Sequence, residues 1–412
     1  MPASVPRRCI CTWQMSPLGC LVHLIARHPR IKGTSVPMPE LQDIFAQYAD
    51  SYAKRHPLSL EQGKVVRAIQ NCRTAALGGH VDECDHCGYT HISYNSCRNR
   101  HCPKCQTLTK ERWIQAQKAN LLQVGYFHVV FTLPEELNPV AYQNPEVVYN
   151  LLFKAASETL TELAADRTYL GAQIGFTAVL HTWGQNLMLH PHLHCIVPGG
   201  GLTTDGRWVN SRKKFFLPIK VLSRKFRGKF LFHLKRATLA LHGSLEPLRD
   251  GDRFREWMSS LYQKEWVVYC KPPFKTPAHV VEYLGRYTHR VAISNQRILR
   301  AEDGKVTFRW RDYRDGNRQK EMTLTAEEFI RRFLMHVLPK GFTRIRHYGL
   351  LSPRNRKTKL SLCRRLTKSN CMPVPKLSAV ELFIQLTGKD FTVCPRCGVG
   401  HLTRAAPILK TA

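Results

Sequence analysis

The chain has 412 residues, enough for two or three domains with cores of their own, and carries 62 Lys and Arg against 30 Asp and Glu, a formal net charge of +32. That excess is hard to reconcile with an ordinary metabolic enzyme and points to a polyanionic partner, nucleic acid ahead of an anionic membrane surface. No run approaches 18 apolar residues, so no segment reads as a transmembrane helix.

In chain order, residues 1–37 read as a poorly structured leader. Their apolar patch from Leu21 to Ala26 is brief and broken by His23, too short for a signal peptide. Leu41, Ile44, Phe45 and Tyr48, then Val65, Val66 and Ile69, recur at helical spacing and predict helix from Pro39 to about Ala76. A cysteine-rich module follows from Cys72 to Cys105. CDHC at Cys84 and Cys87 and CPKC at Cys102 and Cys105 form two C-x-x-C pairs fourteen residues apart, the pattern of one tetrahedral structural zinc site. Cys97 and His101 lie inside this segment, and Cys72, His80 and His86 nearby, so a second zinc or an exchange of ligands stays open. Most of the 15 cysteines sit in such close pairs, which suits metal binding in a reducing compartment rather than a disulfide framework.

Helix is predicted over Lys110 to Val124 and Val147 to Ala165, and strand over Tyr126 to Leu133. Ile174 to Trp183 and Leu189 to Val197 read as two strands joined by a GQN turn, and Thr204-Asp205-Gly206-Arg207 as a second hairpin turn. The second of these strands holds HPHLHCIVPGGG. In a strand His190, His192 and His194 project from one face, so they build a metal site, a proton-transfer site or a packed histidine face.

Further helices are predicted near Leu222 to Leu241, over Arg253 to Tyr262, from Thr276-Pro277 onward and over Ala326 to Val337, with strands at WVVYC, Val306 to Arg311 and Gln319 to Leu324. The mixture is α+β with antiparallel strands, not alternating βαβ. The organisation expected is a leader (1–37), a zinc-binding domain (38–110), a catalytic domain (111–345) and a basic C-terminal region (346–412).

Two basic runs stand out. Ser211 to Ala240 has ten basic residues, no acidic one and interleaved phenylalanines, and Arg354 to Lys368 has seven basic residues and no acidic one. Such runs neutralise phosphates while aromatics stack on unpaired bases, and Arg224, Lys225 and Arg227 are the candidate DNA contacts; a solvated basic face over apolar core positions is the plainer alternative. In the helix carrying EYLGRYTHR, Tyr283 and Tyr287 are four residues apart and share a face, either as part of an amphipathic stripe or as two phenolic nucleophiles of one centre. Arg286, His289 and Arg290 flank them. The C-terminal CPRCG, with Cys394 and Cys397, is half a zinc site that His401, Cys371 or Cys363 would complete, or else a reduced pair without metal.

CRTAALGGHVDECDHCGYT through CRNRHCPKCQ, then HTWGQNLMLHPHLHCIVPGGG, then YLGRY, resemble in order the rolling-circle transposases of the insertion sequence ninety-one family, HUH endonucleases with two tyrosines. The likeness covers roughly Leu41 to Arg365. It implies an antiparallel-sheet HUH core behind the zinc module, with His192-Leu193-His194 as the histidine-hydrophobe-histidine element and Tyr283 and Tyr287 as nucleophiles. It further implies Mg²⁺ or Mn²⁺ on His192, His194 and a third ligand. Gln185 of the WGQN stretch is preferred there, with His181 and His190 as alternatives. The activity implied is cleavage and rejoining of single-stranded DNA at element ends through a 5′-phosphotyrosine, in the bacterial cytoplasm at the nucleoid, with Arg286 and Arg290 on the phosphate. Two rivals are a histidine-triad nucleotide hydrolase and a zinc-ribbon DNA-binding regulator without catalysis.

Overall fold

The computed structural model describes residues 38–118, 120–212, 216–271, 279–280, 283, 285, 291–313, 315–369 and 377–411. The leader, the Thr276-Pro277 helix start, Tyr287, Arg286, His289, Arg290 and Cys371 lie outside the described residues. The helices used below are α1 (Leu41–Arg55), α2 (Leu60–Gln70), α3 (Gln106–Lys118), α4 (Asn138–Gln143), α5 (Pro145–Ala165), α6 (Ile219–Leu234), α7 (Gly251–Gln263), α8 (Ala326–Leu334), α9 (Lys359–Leu366) and α10 (Ala379–Thr387). None of them is long and apolar enough to cross a membrane.

The strands are β1 (Gly79–Cys84), β2 (Thr90–Tyr94), β3 (Tyr126–Thr132), β4 (Gly175–Trp183), β5 (Leu189–Pro198), β6 (Gly200–Leu202), β7 (Trp208–Asn210), β8 (Val268–Lys271), β9 (Ile298–Glu302), β10 (Lys305–Asp312), β11 (Arg318–Thr325), β12 (Ile345–Gly349) and β13 (Leu402–Ile408). A five-stranded sheet runs in the order β12-β4-β5-β3-β8, with every pairing antiparallel. The period of two divides its residues cleanly. Phe127, Val129 and Phe131 of β3, Phe176, Ala178 and Leu180 of β4, and Leu193, Cys195 and Val197 of β5 join one core with α5 and α6. Each buried Phe, Leu or Val among them contributes about 1.5–3 kcal/mol of transfer free energy. The opposite face of the same strands carries His128, His181, His192 and His194, so the pleat that builds the core also gathers the imidazoles.

A second core joins the two ends of the sequence's middle. Leu41, Ile44 and Phe45 of α1 and Val66 and Ile69 of α2 pack with Phe308 of β10 and with Phe329 and Phe333 of α8. Phe45 meets Phe333 edge-on with 5.2 Å between ring centroids. The single helix expected over Pro39 to Ala76 is interrupted near Pro57. Ser59 then caps α2 by accepting from the Gln62 backbone N–H, and the Gln62 side chain returns the bond. Leu187, in the turn between β4 and β5, is fully buried in this second core, which ties the tip of the histidine hairpin down.

Two features cross the boundaries drawn from sequence. β12 straddles residue 345 and forms an edge of the five-stranded sheet, and β13, far along the C-terminal region, pairs with β1 in the order β13-β1-β2. Neither strand was predicted. LTRAAPI has almost no apolar alternation, because β13 is exposed along most of its length and is held by its backbone partner.

Candidate active site and metal centres

The register of β4 on β5 sets His181 opposite His192, and His194 lies two residues on along the same face. Ring centroids stand 5.4 Å apart for His181 and His192, 4.5 Å for His181 and His194 and 4.8 Å for His192 and His194. One nitrogen from each ring lies within 4.8 Å of the others, a donor set able to hold a divalent ion. His192 Nδ1 donates to the His190 carbonyl at 2.7 Å, which fixes the tautomer and leaves Nε2 as its ligating nitrogen. His190 shares the strand face but sits exposed at its end, outside the cluster.

Gln185, preferred above as third ligand, lies in the turn between β4 and β5. Its amide donates to Tyr313 Oη at 3.1 Å, and its carbonyl accepts from Arg297. The physical reason is hairpin register: Trp183 pairs with Leu189, so Gln185 belongs to the turn, while the residue facing His192 is His181.

His128 on β3 was not singled out from sequence. Its Nε2 lies 2.8 Å from His194 Nδ1, and its Nδ1 lies 3.2 Å from Tyr283 Oη. Burial, with Lys271 and His192 adding positive charge nearby, pushes its pKa down to about 3, so the ring is neutral near pH 7. The available signal was the one histidine in YFHVVFTL, at the alternation position facing the same side as His194. Tyr283, with Val280, packs against Tyr126, Val179 and Ile196 of that face.

Gly285, two residues after Tyr283, lies against α3. A Cβ there would stand 2.1 Å from Ile114 Cδ1 and 2.6 Å from its Cγ1. Ile114 is itself buried, so the side chain has little room to yield. Gly285→Ala is therefore expected to push the residues around Tyr283 off α3 and destabilise the protein by about 1–3 kcal/mol, read as a lower melting temperature. Adding Ile114→Ala should restore most of the loss, and an unchanged melting temperature in Gly285→Ala would contradict this packing.

A family model for "Putative transposase" matches residues 175–359, and one for "Transposase zinc-binding domain" matches residues 44–133. A Sinorhizobium fredii protein named "Putative transposase y4qJ" is 52% identical over 375 residues, spanning 88% of this chain and 94% of that one. The chain belongs to the transposases of the insertion sequence ninety-one family. The "Transposase for insertion sequence element IS801" of Pseudomonas savastanoi pv. phaseolicola is 28% identical over 350 residues, 83% of each chain. Among solved structures, the conjugative relaxase TrwC in complex with OriT DNA aligns at a TM-score of 0.24 and 10% identity, over 39% of this chain and 71% of that one. With the family established, the histidine-triad nucleotide hydrolase drops out, and HPHLHCI is the strand of a transposase.

The cysteines of the transposase group differently from the sequence expectation. Cys102 and Cys105 do not join Cys84 and Cys87; they meet Cys72 and Cys97 in a four-thiol cluster, with Sγ–Sγ distances of 3.5 Å (Cys72 and Cys105), 3.6 Å (Cys97 and Cys105) and 3.6 Å (Cys72 and Cys102). Those lengths match the edge of a zinc tetrahedron, about 3.8 Å for Zn–S bonds of about 2.3 Å. The donor set fits a structural zinc ion within the stretch matched by the zinc-binding family model. His101 is not a member. Burial, with Arg344 and Arg100 close by, holds its pKa at about 3, and its backbone N–H donates to Asn99. Cys72 takes the place expected of it because α2 ends at Gln70 and delivers Cys72, fully buried, to the cluster. Cys84 and Cys87 lie instead beside Cys394 and Cys397, so neither His401 nor Cys363 completes the C-terminal pair.

The basic run of α6 packs against α5 and the sheet. Leu222, Phe226 and Phe230 are buried in the core on the sheet face opposite the histidines. Lys225 and Lys229 pair with Glu162 of α5, and Arg227 donates to the Lys264 carbonyl and lies 4.6 Å over the Tyr262 ring. Arg224 is exposed. Phe226 and Phe230 are core residues on the buried stripe of an amphipathic helix, while Phe232 is exposed. The second run lies on the histidine side. Arg356 lines a small cavity with Thr177, Ile196 and His347, and Arg354 and Lys357 are exposed beside it.

Proposed function

We propose that this transposase cleaves and rejoins single-stranded DNA with Tyr283 as the first nucleophile and Tyr287 as the second. The observation that carries this reading is the line of contacts from Tyr283 Oη through His128 to His194, on the sheet face where His181 and His192 complete the cluster. In the reaction a Tyr283 Oη–P bond forms and the P–O3′ bond breaks. The product is a 5′-phosphotyrosine and a free 3′-hydroxyl, with the phenol proton passing to water and a proton taken up by the leaving oxygen. The phosphoester energy is conserved in the new bond, so rejoining needs no nucleotide cofactor.

His181, His192 and His194 would hold the divalent ion; an all-imidazole set suits a transition ion such as Mn²⁺ better than Mg²⁺. When bound, the ion supplies Lewis-acid stabilisation and a template for the scissile phosphate. The protein's own part follows from tautomers. With Nε2 of His194 turned to the cluster, its Nδ1 carries the proton and donates to His128 Nε2; His128 is then protonated on Nδ1 and donates to Tyr283 Oη. A donor at the phenol oxygen favours the phenolate, the form that attacks phosphorus.

Incubating the protein with Mn²⁺ and labelled single-stranded oligonucleotides spanning element ends should give a covalent adduct carrying the 5′ end of the label-bearing product. Absence of any adduct with all candidate ends would overturn the reading. The strand's path is assigned to the histidine face and onward to the Arg354–Lys368 run. Replacing Arg354, Arg356 and Lys357 by Glu should lower the salt slope of single-stranded DNA binding by about 2, at about 0.7 per phosphate contact, while Arg224→Glu should leave it nearly unchanged. The reverse ranking would move the path to α6.

A further inference from the structure

We infer that Cys84, Cys87, Cys394 and Cys397 bind a second structural zinc ion, shared between the N-terminal module and the C-terminal segment. The zinc-binding family model ends at residue 133 and so holds only half of these ligands. The four thiol groups converge within 4.8 Å, with 3.8 Å between the sulfurs of Cys84 and Cys397 and 3.7 Å between those of Cys87 and Cys394. A zinc tetrahedron has edges of about 3.8 Å. A disulfide needs about 2.05 Å, so these are paired thiols and not cross-links.

The two half-sites are built alike. CDHCG and CPRCG each end in a glycine with positive φ, Gly88 at 66° and Gly398 at 70°. In each, that glycine's N–H returns to the first cysteine's carbonyl, at 3.1 Å for Gly88 to Cys84 and 2.9 Å for Gly398 to Cys394. Backbone N–H groups also point at sulfur: His86 and Cys87 at Cys84 Sγ, both at 3.5 Å, and Gly400 at Cys397 Sγ at 3.4 Å. N–H groups aimed at sulfur stabilise thiolates, the form that ligates metal.

The halves are pressed together closely. The Asp85 N–H donates to the His401 carbonyl at 3.1 Å, and the His401 N–H to Asp85 Oδ1 at 2.8 Å. A Cβ on Gly400 would lie 2.6 Å from Cys84 Sγ, Asp85 Oδ1 and His86 Cβ, so only glycine lets the C-terminal turn seat there. The clasp extends toward the active face as well: α10, just before CPRC, packs on α3, with Gln115 Nε2 donating to Gln385 Oε1 at 3.3 Å, and α3 in turn supports Gly285.

The test is zinc content of the full chain under reducing conditions, in a His192→Ala, His194→Ala background so that the imidazole cluster adds nothing. Two equivalents are expected. Cys394→Ser with Cys397→Ser should leave one, and Gly400→Val, which removes no ligand, should weaken retention of the second against a chelator at least tenfold. Two equivalents in the double serine variant, or one in the parent, would overturn the assignment. Should the serine variant fail to fold, thiol alkylation of the parent decides. Cys84, Cys87, Cys394 and Cys397 should become reactive together as chelator removes zinc, and their free reactivity in the zinc-loaded protein would refute the site.

Discussion

Tyr283→Phe combined with Tyr287→Phe should eliminate the covalent DNA adduct entirely, a loss of at least about 10³-fold in cleavage, while leaving folding and DNA binding intact. Phenylalanine keeps the ring that packs on Tyr126, Val179 and Ile196 and removes only the oxygen that lies 3.2 Å from His128. The singles should separate the roles. Tyr283→Phe should lose the first cut, and Tyr287→Phe should retain it but fail at the second transfer. His192→Ala or His194→Ala should abolish the adduct by removing a cluster nitrogen. His128→Ala should cost about 10–100-fold, the range for a residue that orients a metal-ligating histidine. The measurement is denaturing electrophoresis of the labelled adduct across a Mn²⁺ series. Wild-type cleavage by the double phenylalanine variant would end the two-tyrosine account.

The second large effect concerns stability. Cys97→Ser with Cys102→Ser should strip zinc from the cluster completed by Cys72 and Cys105 and leave α1 and α2 without a docked partner. Cys72, Cys97, Cys102 and Cys105 all belong to or pack against the same core as Leu41, Phe45 and Ile69. Structural zinc in small modules contributes on the order of 10–16 kcal/mol of apparent binding free energy, comparable to the whole stability of a domain. The expected outcome is insoluble protein, or soluble protein with the far-UV signal of α1 and α2 lost and one fewer zinc. Unchanged zinc content with a native melting transition would contradict the grouping.

Periodic signals were legible. β3, β4, β5, α5 and α7 fall within a few residues of their expected places because each presents a sustained apolar face. The histidine pair was visible as chemistry on one face of a strand, while Tyr287 lies outside the described residues. What sequence could not supply was long-range register. Setting His181 opposite His192 depends on where the β4–β5 turn closes, and bringing Cys84 to Cys397 depends on a strand contact across more than 300 residues. His128 was hidden for a related reason: a lone histidine in an apolar strand acquires meaning only when β3 is aligned with β5. The role of the α6 run was not legible because basic residues above a buried stripe and basic residues along a DNA groove have the same composition; the structure adds that Lys225 pairs with Glu162 and Lys229 with Glu158 and Glu162 on α5.

The sheet β13-β1-β2 also bears on how the chain is made. β1 and β2 emerge from the ribosome together, but the strand that covers the other edge of β1 arrives more than 300 residues later, a delay on the order of half a minute at roughly 5–20 residues per second. For that interval β1 has an open edge, the kind of surface that recruits strands from other chains. Its sequence, GHVDEC, suits the wait: His80, Asp82 and Glu83 put polar and charged side chains along a strand with a single aliphatic residue, Val81. A nascent chain stopped before Leu402 would carry that edge permanently, with only those charges to keep it from pairing with its neighbours.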